Sequence, residues 1–351
     1  MTTAAPAEVP TNAEPTSGWL RNPTFDLGLI LGVLALALAL GGIVTARPEL
    51  LVSVLLFDFW LIAYPHVASM YTRIALDRPG VRAHRFLLFG LPPIVLVATA
   101  GVAWLGGVVA LNTLYFYWQT HHYTKQSYGI SRAYQRRSGA PAGERDWLSA
   151  GVVFAFPLWG ILHRAHQRPP QFYGMPLWSP PVPRALVVAA AVLALGTLAA
   201  WIRRLRRAPR SAGLVLFLLS HVVITVISYL AIPDVTRGWL FINVWHNAQY
   251  IVFVWAANAR RFSGGVDPER PFLSRLSQPT YIVRYAAVCL GLSTAFYLAL
   301  GEALPRIAWQ VLPMVLVGHL AVNFHHYLVD AVIWRSPRPG VGARSPPVAR
   351  R

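Results

Sequence analysis

The 351 residues are 55% hydrophobic and only 13% charged, with a mean hydropathy of +0.46, a balance too apolar for a soluble domain of that length. The formal charge of +18 is nearly all arginine, Lys125 being the one lysine, set in short clusters between apolar runs. That is the loop charge of a multi-pass membrane protein rather than a nucleic-acid-binding surface, and the single cysteine, Cys289, excludes an internal disulfide framework or a Cys-rich metal site.

In chain order, residues 1–24 are rich in Pro, Thr and Ala without a basic n-region, which predicts a disordered tail and no cleaved signal. Residues 25–335 then read as a single transmembrane helical domain, an all-α bundle. A span needs about 20 mostly apolar residues, and on that measure the domain divides into about ten. They cover roughly 25–46, 51–70, 86–108, 110–129, 147–163, 184–202, 213–231, 238–257, 280–300 and 308–334, the fourth and tenth being unusually polar. Residues 336–351, rich in Pro, Arg and Gly, predict a second disordered tail.

Loop arginines set the expected orientation, because cytoplasmic loops carry the excess of Lys and Arg. Arg73, Arg78, Arg82 and Arg85 follow span two; Lys125, Arg132, Arg136, Arg137 and Arg145 follow span four. Further clusters follow span six, from Arg203 to Arg210, and span eight, from Arg260 to Arg275. The alternate loops are nearly bare. Every even-numbered span is therefore expected to end in the cytoplasm, with both termini inside.

This orientation gathers histidines from distant segments at one depth. His66 lies near the cytoplasmic end of span two, His122 in the inner half of span four, His221 in span seven, His246 in span eight and His326 in the inner half of span ten. Residues three, four and seven apart share a helix face. Span four thus presents Asn112, Tyr115, Gln119, His122 and Gln126 as one stripe, span eight presents Asn243, His246, Asn247 and Tyr250, and span ten presents His319, Asn323, His326 and Asp330. His121 and His325 point roughly 120° off their stripes.

Polar groups at this depth are costly unless they face a bundle interior or a wet cavity. Interhelical hydrogen bonding is the bland explanation, and it is preferred for His221, which shares a face with Thr225 and Ser228. His121 and His325 suit supporting or interfacial roles better than ligation, and whether His121, His221, His319 or His325 joins a ligand shell stays open. His66, His122, His246 and His326 together favour a bound metal, since neutral imidazole is a good ligand and its second ring nitrogen needs a partner. Asp330, Gln119, Asn247 and Tyr250 are groups of the kind that supply such partners. Four imidazoles suit Fe(II) with open positions for O2, with copper or zinc as alternatives.

The segments YPHVASMYTR, THHYTKQSYG, VWHNAQYIVFVWAANARR and FHHYLVDAVIWR resemble, in order, the four histidine segments of the Brp/Blh family, bacterial integral-membrane enzymes that cleave β-carotene to retinal. The resemblance implies that His66, His122, His246 and His326 are iron ligands, that Asp330 is a supporting acid, and that the chemistry is O2-dependent cleavage of a polyene in a bacterial inner membrane. The windows are short, from 10 to 18 residues. No glycine follows His66, Tyr250 stands where the family has a second histidine, and this chain has extra spans.

Thirteen tryptophans, with Tyr and Phe, suit interfacial belts and apolar walls for a lipophilic substrate. Tyr115, Tyr117, Trp118, Tyr123 and Trp245 flank the proposed ligands, positions more often used for helix packing. Two other classes compete with a membrane oxygenase: a proton- or ion-coupled transporter lined by buried His, Asn and Asp, and a haem or quinone protein. No inverted repeat favours transport. Phosphate loops, nucleophile elbows, HExxH and glycosidase-type carboxylate pairs are not found in the sequence.

Overall fold

The protein is described from a computed structural model, which covers residues 18–140, 144–208, 210–307 and 313–334. The described chain is nearly all helix, interrupted by a short antiparallel hairpin of β1 (Gln171–Phe172) and β2 (Met175–Pro176). Seven helices are long and apolar enough to cross a membrane: α1 (Pro23–Ala46), α2 (Pro48–Tyr71), α3 (Phe86–Arg137), α4 (Trp147–Gln167), α5 (Arg184–Arg207), α6 (Ala212–Ala231) and α8 (Pro279–Arg306). Two more long helices, α7 (Val235–Arg261) and α9 (Met314–Ile333), fall short of that combination because they carry the polar stripes. Residues 308–312, where the tenth span was expected to begin, lie outside the described residues, as do both chain termini.

Helix α3 unites what the sequence divides into two spans. At 1.5 Å per residue its 52 residues would reach roughly 78 Å, more than twice the ~30 Å hydrocarbon core. The run is broken at Gly107, with φ 65° and ψ −165°, a backbone state open to glycine because it has no Cβ. Residues 86–106 and 108–137 are therefore separate helical units.

Helix α7 is the axis of the bundle. It packs on α1 and α2, and from Val235 to Tyr250 nearly every side chain is buried, the signature of an interior helix. Around it, α9 lies on α3, α8 on α2, and α5 on α4. Large apolar side chains on the periphery face outward, Leu105 at 88%, Val283 at 76% and Val97 at 72% exposure, a surface that suits hydrocarbon rather than water.

Of the expected N-terminal tail, residues 1–17 lie outside the described residues, and residues 20–22 are tied to the bundle. Buried Asp26 accepts hydrogen bonds from the backbone N–H groups of Leu20, Arg21 and Asn22, at 2.9, 3.0 and 3.2 Å, and from the Tyr134 hydroxyl at 2.7 Å. These bonds satisfy a carboxylate that would otherwise be buried unpaired, and they bolt residues 20–22 to the end of α3. The expected tail over 336–351 lies outside the described residues.

At the opposite end of the bundle Arg164, 1% exposed, caps α6. Its guanidinium donates to the carbonyls of Ser228 and Pro233 at 2.8 and 2.9 Å and of Ile232 at 2.5 Å, groups that the helix end leaves without partners. Gly238 of α7 packs under this cap, where a Cβ would lie 2.4 Å from the Ser228 oxygen and 2.8 Å from the Arg164 guanidinium. Gly238→Ala is expected to destabilise the fold by about 1–3 kcal/mol, read as a lowered Tm in detergent. Gly291→Ala, with nothing within 4 Å of the added carbon, should leave Tm unchanged or raised.

Candidate metal centre

Four helices bring the histidines together. In α2, Pro65 has no N–H to donate, and a π-helical turn over Phe59–Ala63 precedes it, a local widening that absorbs the missing hydrogen bond. Beyond it His66 and Met70 turn inward. Helix α3 supplies His122, α7 supplies His246, and α9 supplies His326, all 5% exposed or less.

The imidazoles of His66, His122 and His326 each offer a ring nitrogen within 4.8 Å of the others. That spread is comparable to two metal–nitrogen bonds of ~2.0–2.1 Å end to end. Nε2 of His66 stands 2.7 Å from Nε2 of His326. The His246 ring lies beside them, its centre 4.9 Å from that of His66 and 5.0 Å from that of His122. Four nitrogens in this cluster are buried without a hydrogen-bond partner: His66 Nδ1, His122 Nε2, and both Nδ1 and Nε2 of His246. Buried polar atoms are nearly always satisfied, so this concentration of bare imidazole nitrogens fits a cation held among them.

The surrounding groups fix the rings. His326 Nδ1 is 3.2 Å from the Met70 sulfur; with the proton on that nitrogen, the lone pair of Nε2 faces His66. Asp330 Oδ2 lies 3.7 Å from the same Nε2. Asp330 is therefore on the inner side of His326 rather than behind it, where a carboxylate orienting the far ring nitrogen would sit. Its other oxygen accepts from the Tyr250 hydroxyl, which in turn accepts from Trp334 Nε1 at 3.0 Å. The Tyr250 ring packs 4.5 Å from His66, so Tyr250 touches two members of the cluster.

A second chain of polar groups reaches the cluster from the side of His246. Tyr123, whose ring lies 4.0 Å from that of His246, donates to Asn243 Oδ1 at 2.6 Å, and Asn243 Nδ2 donates to Asp58 Oδ2 at 2.5 Å. Asp58 is wholly buried, and the sequence reading passed over it. The signal was present: it is an acid within the apolar run LLFDFWLIAYPH, two helical turns before His66. Tyr327, its ring 4.2 Å from that of His122, was likewise missed.

The remaining candidates divide clearly. Asn247 lines a cavity with His66, His246 and His326. Gln119 makes a 3.3 Å contact with Tyr123 rather than with a histidine, and Asn112 is drawn away to the carbonyls of Phe172, Met175 and Pro176. His325 ties helices together, with Nδ1 2.7 Å from the Tyr71 hydroxyl and Nε2 2.7 Å from the Leu87 carbonyl. His221 meets the Val153 carbonyl at 3.1 Å, and His121 is exposed on the outside of α3. His319 stands further along α9, at the edge of the cavity.

No protein-family model matches this chain, and no curated protein or solved structure is significantly similar to it.

For an ion shared by the cluster, His122→Ala and His326→Ala should each lower bound metal at least about tenfold by elemental analysis of purified protein. His221→Ala is expected to leave metal content unchanged. Equal content in all three variants would remove the basis for a common site.

Proposed function

We propose that this chain is a membrane-embedded, histidine-ligated non-haem metal oxygenase acting on a carotenoid or other lipophilic substrate. The observation that carries the reading is the meeting of His66, His122 and His326, with His246 alongside, in a buried cluster where four ring nitrogens have no hydrogen-bond partner. Imidazoles without a bound counter-charge suit Fe(II), with copper or zinc as alternatives. The metal, when bound, would supply activation of O2.

The chain's own residues would then have distinct tasks. His66, His122, His246 and His326 hold the ion; Asp330 and Tyr250 fix His66 and His326 relative to one another; Asp58, Asn243 and Tyr123 hold the His246 ring. The apolar walls exclude water, which would compete for the open positions. In the proposed reaction a polyene C=C bond is broken and each carbon takes one oxygen atom of O2, giving two carbonyl products with no external reductant. The resemblance to the Brp/Blh segments points the same way on substrate class. The reading includes ten crossings, counted as the two parts of α3 together with the other eight long helices. It also includes cytoplasmic termini from the arginine-rich loops, and residence in a bacterial inner membrane.

Expression in a carotenoid-producing bacterium tests the activity. Loss of colour with appearance of aldehyde products is expected, and His326→Ala should retain the colour. Unchanged pigment with a stoichiometric metal would overturn the substrate, and a Soret band in the purified protein would replace the reading with a haem protein.

The Asp330 geometry adds a ranking. Asp330→Asn should lower turnover about 10–100-fold, as loss of groups supporting a metal ligand does, while His325→Ala, whose contacts are structural, should cost much less turnover at equal folded protein. The reverse order would remove Asp330 from the site.

A further inference from the structure

We propose that an apolar groove on the outer side of α2 and α9 is the lateral binding site for an elongated apolar molecule whose one hydroxyl or carbonyl oxygen is received at the groove's inner end, by His319 on the wall and by Tyr297 in the small hollow behind it. Its role as a substrate site rests on the oxygenase reading above; its ability to bind such a molecule does not.

Two hollows adjoin here. The inner one, about 30 Å3, reaches His66, His246 and His326 and has room for little more than water. The outer one, about 550 Å3, is lined by Pro313, Met314, Val315 and Leu316 of the α9 entrance and by Phe59, Tyr64 and His319. Phe59, Tyr64 and His319 border both, so these three aromatic rings form part of the wall between the two hollows. The outer volume lies in the range of small-molecule sites, and the inner one is far below it. A lipophilic molecule reaching the cluster would therefore keep most of its length in the groove, within the bilayer.

Polar groups with nothing to bind stand at the partition, His319 in it and Tyr297 on its inner side. The Tyr297 hydroxyl is buried without a partner, and the His319 ring makes no hydrogen bond among the described residues. Tyr297 stacks on Tyr64 with ring centres 3.7 Å apart, and the His319 ring is 5.8 Å from Tyr64 and 5.9 Å from Tyr297. A buried hydroxyl without a partner, next to an imidazole that makes no hydrogen bond among the described residues, can receive one oxygen atom on an otherwise apolar guest. A saturated lipid tail would satisfy neither. The flat faces of Phe59, Tyr64 and Tyr297 suit a flat, conjugated chain sliding between them.

Parinaryl alcohol, a conjugated tetraene with one hydroxyl, and the corresponding tetraene hydrocarbon are suitable probes, since both accept excitation energy from tryptophan. With protein in nanodiscs the alcohol is expected to bind about three- to tenfold more tightly than the hydrocarbon, the range one net hydrogen bond gives. Tyr297→Phe with His319→Leu should erase that preference while keeping hydrocarbon binding. Val315→Trp, at a side chain 54% exposed on the groove wall, should abolish binding of both probes with metal content retained, and Leu316→Trp should do the same. Undiminished binding in both tryptophan variants would show the probes to be ordinary boundary lipid and overturn the groove. A preference surviving the double variant would overturn the role of Tyr297 and His319. His122→Ala separates the two readings: it should lose metal yet bind both probes as wild type does. Wild-type protein that binds the probes without any metal would sink the oxygenase and leave the groove standing.

Discussion

Side chains that hydrocarbon cannot solvate have to solvate each other, and this constraint organises the interior of the bundle. The central imidazole, carboxylate, amide and phenol groups of α2, α3, α7 and α9 turn toward one region, because outward rotation of any of these helices would expose a polar stripe to lipid at several kcal/mol per group. Helix α7 answers the constraint most completely: buried on all sides, it can carry Asn243, His246, Asn247 and Tyr250 without presenting any of them to the membrane. The apolar perimeter of α1, α3, α5 and α8 is the other half of the same arrangement.

Within the cluster, position is held from two directions. On one side Trp334, Tyr250 and Asp330 form a hydrogen-bonded chain that ends beside His326, and the Met70 sulfur fills the space behind that ring. On the other, Asp58, Asn243 and Tyr123 end on the face of His246. Linked bonds of this sort polarise one another and restrict rotamers, so each ring is set by neighbours that are themselves set. If such a cluster held one ion it would gain from this rigidity, since preorganised ligands lose little freedom when an ion binds.

Much of this was legible from residue spacing, and the failures have physical causes. The three stripes centred on His122, His246 and His326 follow from helical periodicity alone, and the off-stripe positions of His121 and His325 correspond to an exposed ring and an interhelical tie. Asp58 escaped because the π-helical turn at Phe59–Ala63 lies between it and His66, so no simple 3.6-residue stripe joins them. The anchoring of residues 20–22 has another origin: the carboxylate that orders them is satisfied partly by Tyr134, more than 100 residues away. Asn112 and Gln119 share the His122 face yet serve other partners, because one face of a long helix passes several neighbours along its length.

The sequence by itself determined that the chain is a bundle of apolar helices and which residues each helix must turn inward, because both depend on composition and periodicity within one segment. Only the tertiary structure decided which ring nitrogens face each other, that Asp330 lies on the inner side of His326, and that a groove ends at an aromatic wall beside the cluster. Those facts depend on the relative rotation, depth and spacing of helices far apart in the chain. Such quantities are fixed by side-chain packing between segments, and no pattern within a single segment encodes them.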